Sequence, residues 1–143
     1  MPHIDSTVAE AWPPLPYHEW KDTYATLHMW SQIVGKIALA QAPPINHSWG
    51  IALHVTGRGI QTPVLPHGQH AFTIEFDFID HRLVIERSDG DRRTLPFESR
   101  SVADFYREVL ATLSDMSLPV TIWSTPVEIP SPVRFEQDTI HHT

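Results

Sequence analysis

Prolines constrain this chain more than any other residue type. Thirteen of them mark its joints: Pro13, Pro14 and Pro16 precede one long segment, Pro43 and Pro44 end it, and Pro126, Pro130 and Pro132 stiffen the last stretch. Proline lacks an N–H and biases the residue before it away from helix, so regular elements must fit between these positions. From Trp20 to about Gln41, the residues Leu27, Trp30, Val34 and Ile37 recur at helical spacing, Thr23 completes the stripe, and Pro43-Pro44 stops it. This predicts the first helix. The prolines punctuate one domain, residues 1–143, with an N-terminal arm (1–16), a core (17–124) and an extended tail (125–143).

After the helix, Trp49, Ile51, Leu53 and Val55 alternate with Ala52, His54 and Thr56, which predicts a strand over Ser48–Thr56. Gly57-Arg58-Gly59 makes a turn, Ile60–Val64 a short strand, and Pro66, His67, Gly68 and His70 a loop. Phe72, Ile74, Phe76 and Phe78 then alternate with Thr73, Glu75, Asp77 and Ile79. With Asp80-His81 as a two-residue turn, Phe76 faces Ile85 and Glu75 faces Glu86, two carboxylates in opposition. With Asp89-Gly90 as the next turn, Glu86 faces Arg93 and Val84 faces Leu95. Ser101 caps a second helix to about Met116, with Asp104 in its first turn and Val102, Phe105, Val109, Leu110 and Leu113 on its apolar side. Val120–Ser124 forms a last short strand. The fold class is therefore α+β: an antiparallel meander of four to five strands, two helices on one face and an extended proline-rich tail.

Composition narrows the function. Lys and Arg number 10 against 17 Asp and Glu, giving a formal charge of −7. That balance disfavours nucleic acid and anionic membrane as partners. No cysteine is present, which removes disulfides, thiolate nucleophiles and Cys-ligated zinc. The segment Met1-Pro2-His3-Ile4-Asp5 lacks a cationic start and apolar run, and Lys36 interrupts the longest apolar helical stretch, so a cytoplasmic location is expected. Serine-hydrolase, P-loop and Rossmann motifs are absent.

On the first helix, His28, Gln32 and Lys36 follow one another at four-residue spacing beside Trp20 and Tyr24. Aromatic walls with a few fixed donors suit a small organic ligand. Asn46-His47-Ser48-Trp49 enters the first strand near the end of that helix. The expected site is thus a pocket with Trp20, Tyr24, Gln32, Asn46 and Trp49 as ligand contacts and His47, Lys36 and His28 as acid–base groups, His47 taking a proton and Lys36 steadying negative charge. The plainer alternative leaves Gln32 and Lys36 solvated and uses Asn46-His47 to cap backbone. A weaker metal alternative rests on His67 and His70, which lack the third and fourth ligands a site requires. No cofactor is implied. Ile79, Val84 and Leu95 would share the second sheet face with the charges, so the tail or a second copy of the chain is expected to cover it. A non-catalytic dimeric interaction module is the rival reading.

The segments Trp12-Pro13-Pro14-Leu15-Pro16, Trp20 to Trp30, Gln32-Ile33-Val34-Gly35-Lys36, Ala42 to His47, Phe76 to His81, Ser88-Asp89-Gly90 and Ser101 to Tyr106 resemble a bacterial domain-of-unknown-function family across nearly the whole chain. The resemblance implies kinship without an activity, cofactor or catalytic residue. Many members are longer and echo the first segment in a second, which implies that a chain with one such segment pairs with itself, as a homodimer.

Overall fold

The structure, a computed structural model, describes residues 12–142. The first eleven residues, including most of the expected N-terminal arm and the Met1–Asp5 segment, lie outside the described residues. Helix α1 spans Tyr17–Gln41, starting three residues before the expected Trp20 and capped by the extended Ala42, ahead of the Pro43-Pro44 pair. Its inner face buries Thr26, Met29, Trp30, Ile33, Val34, Ile37 and Ala38. Helix α2 spans Val102–Asp115, and the Ser101 hydroxyl accepts from the Asp104 N–H at 3.2 Å, the N-cap that its sequence predicts.

Six strands follow one another between the helices: β1 (His54–Val55), β2 (Gly59–Gln61), β3 (Leu65–His67), β4 (His70–Asp77), β5 (Arg82–Arg87) and β6 (Arg92–Pro96). All pairs are antiparallel, in the order β1-β2-β4-β5-β6, and β3 pairs with β4 beyond the reach of β2. Thr62 bridges the gap between β2 and β3: its N–H donates to the Ile74 carbonyl and its hydroxyl accepts from the Ile74 N–H. Phe72, Ile74, Phe76, Leu83, Ile85 and Leu95 form the covered face and pack against both helices in one core that also takes in Phe135. The protein is α+β, with one strand more than the upper expectation.

Several local expectations are corrected. Residues Asn46–Ile51 form a 3-10 helix rather than the start of a strand. Only His54 and Val55 find partners, on the three-residue β2, so the backbone ahead of them satisfies itself locally. The expected loop at Pro66–His67 is instead strand β3. Proline is tolerated there because β3 pairs on one side only, and Gly68 at φ +58° makes the tight turn into β4. Val120–Ser124 forms no strand.

Both hairpin registers differ from expectation, for identifiable reasons. The Asp77 carboxylate accepts the N–H groups of Ile79 (3.0 Å) and Asp80 (3.1 Å), which lengthens the β4–β5 connection to Phe78–His81. Phe76 therefore opposes Leu83 and Glu75 opposes Val84, so the Glu75–Glu86 pair does not form. In the β5–β6 loop, Gly90 at φ +93° and the Arg87 N–H to Asp91 carbonyl bond (2.8 Å) close a three-residue turn. That one-residue slip moves Leu95 from the second face to the core, opposite Leu83, and sets Glu86 against Arg92. The tail does not cover the second face either. It runs along the helices: Phe135 packs on Tyr106 of α2, and Ser101 forms an isolated bridge with His142.

Candidate functional site

The expected pocket residues divide into three groups. Trp20, Tyr24 and His28 form a ring ladder along α1, Trp20 edge-on to Tyr24 at 5.2 Å and Tyr24 stacked with His28 at 6.3 Å. Gln32 and Lys36, one and two turns on, are engaged by the tail. Gln32 Nε2 donates to the Val127 carbonyl and Oε1 accepts the Val127 N–H, both at 2.9 Å. The Lys36 ammonium stands 4.6 Å from the centre of the Trp123 ring, and partial burial lowers its pKa. Asn46, His47 and Trp49 lie on the 3-10 helix, exposed, with His47 in the left-handed region at φ 58°. The cavity at His28 is lined by Tyr24, Leu27, Ser31 and Ile60, and the one beside the 3-10 helix by Leu39, Ala42, Pro43, Pro44, Ile45, Gly50 and Ile51, so neither joins His28 or Lys36 to His47. The metal alternative gains no third ligand: His67 Nδ1 sits 2.8 Å from Gln41 Oε1, and no three such ligands gather among the described residues.

The structure instead opens an aromatic trough between α1 and the β4–β5 turn. Thr23, Leu27, Trp30, Phe78, His81 and Phe97 line a cavity of about 240 Å³. Leu27 is also a wall of a neighbouring cavity of about 220 Å³, completed by Tyr24, His28, Ser31 and Ile60. Local sequence explains the trough. The four-residue turn lets Phe78 leave the ladder and meet Phe97 at 6.2 Å, and the Phe97 N–H donates to the His81 carbonyl at 2.8 Å, fixing the rim. Trp30 forms the floor, stacked on Phe105 of α2 at 4.4 Å and tilted against Phe97 at 5.7 Å.

One polar atom in this floor is unfinished. Trp30 is 2% exposed, and its indole Nε1 is buried without an acceptor among the described residues. A buried donor without a partner costs roughly 1–3 kcal/mol, so most such groups are paired in folded proteins. Tyr24 and His28 were expected at a site; Trp30, Leu27, Phe78, His81 and Phe97 were not. The signal that points to Trp30 in the sequence is an indole on a core stripe, since burying its N–H requires an acceptor.

Charged groups near the trough are committed elsewhere. Asp77 is fully buried and holds Arg58 (3.0 Å) and Arg82 (3.5 Å). Burial pushes its carboxyl up, but the Asp80 N–H, the Arg58 guanidinium and the Ile79 N–H outweigh that and hold its pKa at about 2. This network pins the β4–β5 turn on which Phe78 and His81 stand.

Fold and site together define an α+β domain carrying an aromatic cavity against its long helix. The chain belongs to a family of unknown function, DUF5996, whose model matches residues 12–143. No curated protein and no solved structure matches the chain significantly. No helix among the described residues is long and apolar enough to cross a membrane.

Proposed function

We propose that this protein binds a small, flat organic molecule in the aromatic trough, with the Trp30 indole N–H, closed off beneath the floor in the free protein, uncovered by a shift of the surrounding rings and donating to a carbonyl or similar acceptor on the ligand. The unpartnered buried Nε1 carries this reading. Its surroundings fit: rings of Trp30, Phe78 and Phe97 supply apolar contact, and His81 and Thr23 supply polar groups on the same lining. Of the three expected acid–base groups, His28 is the one adjacent, on the neighbouring cavity. Residence in the cytoplasm and pairing of identical chains belong to the same reading; the exposed Trp49 supports self-association.

Acetophenone and benzamide serve as probes, with binding measured by saturation-transfer NMR. The wild type is expected to bind at least one of them, Trp30→Phe to weaken that binding about tenfold by removing one hydrogen bond, and Leu27→Trp to abolish it by filling the trough. Equal affinity in Trp30→Phe, or no binding of either probe by the wild type, overturns the proposal.

A further inference from the structure

A second arrangement lies on another side of α1, where the C-terminal segment returns to the domain. Asp138 is fully buried. Its Oδ1 accepts the N–H groups of Ile140 (3.1 Å) and His141 (3.0 Å), and its Oδ2 lies 2.7 Å from His141 Nδ1. Backbone bonds fix this unit to the start of α2: the Ala103 N–H donates to the Asp138 carbonyl and the Val102 N–H to the His141 carbonyl. A carboxylate can only accept, so the neutral ring carries its proton on Nδ1, and in that form Nε2 keeps a lone pair for another partner. His141, with Ile140 and His142, closes a cavity of about 320 Å³ against Asp22, Ala25 and Thr26 of α1. The Thr26 hydroxyl donates to the Asp22 carbonyl (3.1 Å) and so offers only its lone pairs to the cavity.

We propose that Asp138 and His141 form a general-base site, in which His141 Nε2 takes a proton from water held in this cavity and Asp138 is the positioning residue that fixes the ring and steadies the imidazolium. The oxygen so activated adds to the carbonyl of a small ester; the carbonyl re-forms as the alkoxy group leaves with its electron pair, and the imidazolium returns its proton to solvent. The Asp22 carboxylate on the opposite wall restricts the substrate to neutral or cationic molecules.

The test is hydrolysis of p-nitrophenyl acetate by the full chain, alongside long-range ¹H–¹⁵N NMR of the histidine rings. The expected results are hydrolysis faster than by equimolar free imidazole, a loss of at least tenfold in His141→Gln, no change in His18→Gln, and a His141 ring protonated at Nδ1 alone. His141→Gln removes a partly exposed ring, and the wild-type NMR spectrum needs no variant, so the test does not depend on Asp138→Asn folding. Wild-type hydrolysis no faster than imidazole, full activity in His141→Gln, or a ring protonated at Nε2 overturns the proposal.

Discussion

Trp30 and Gln32 stand two residues apart on α1 and face opposite sides of it, and their polar groups meet opposite fates. Both amide atoms of Gln32 are satisfied by the backbone of Val127, so one of the expected ligand contacts is a clasp for the tail. The indole of Trp30, which reads as plain core, keeps a buried donor without an acceptor among the described residues. The difference teaches that a polar residue type does not by itself mark a site. A group finished by its own chain holds the fold, and a group left unfinished beside a cavity is where a ligand gains hydrogen-bond energy.

Substitutions can break or sharpen that contrast. The largest effect is expected from Trp30→Ala, which empties the floor of the trough and part of the core, at a cost of about 3–5 kcal/mol in urea denaturation. Trp30→Phe removes the unpaired donor together with two ring carbons, so a smaller loss of stability than in Trp30→Ala is expected while probe binding falls. A destabilisation by Trp30→Phe as large as that of Trp30→Ala would mean that the indole N–H is satisfied after all.

Asp77 tests the finished kind of polar group. Its pKa is lowered from 3.8 to about 2, so its contribution is fully present above pH 3.8 and is lost as pH falls toward 2. Melting temperatures measured across that window should fall less steeply for Asp77→Asn than for the wild type. Curves of equal slope would show that the Arg58 and Arg82 network adds no pH-dependent stability.

Smaller effects are expected along the clasp. Gln32→Ala loses two hydrogen bonds in a partly exposed setting, about 1 kcal/mol, and hydrogen exchange at the Val127 amide should quicken while probe binding in the trough is unchanged. Lys36→Met removes the cation over Trp123, about 0.5 kcal/mol at a site open to solvent. A loss of probe binding in either variant would return these two residues to the binding site.

The same distinction explains what the sequence made legible. Helix α2 announced itself through Ser101, Asp104 and the Val102–Leu113 stripe, and β4 through strict alternation, because caps and periodicity are local. The hairpin registers were hidden because they depend on side-chain to backbone bonds from Asp77 and on a positive-φ Gly90, which add residues to turns that read as two-residue turns. Strand β3 was hidden by Pro66, whose missing N–H matters only if both edges pair. At the site, Tyr24 and His28 were legible as an aromatic and polar pair on one helix. The partner of Gln32 lies 95 residues away, and no local pattern marks Val127 as its occupant. Nor does any pattern mark Phe78 as losing its partner on β5, since that follows from the turn beside it.

The most direct measurement is the ¹H–¹⁵N resonance of the Trp30 indole, assigned by its disappearance in Trp30→Phe and followed during titration with acetophenone and benzamide. The expected result is a free-state resonance without the downfield shift of a hydrogen-bonded indole and a saturable downfield movement with a probe that binds. A resonance already downfield in the free protein and unmoved by either probe would contradict it.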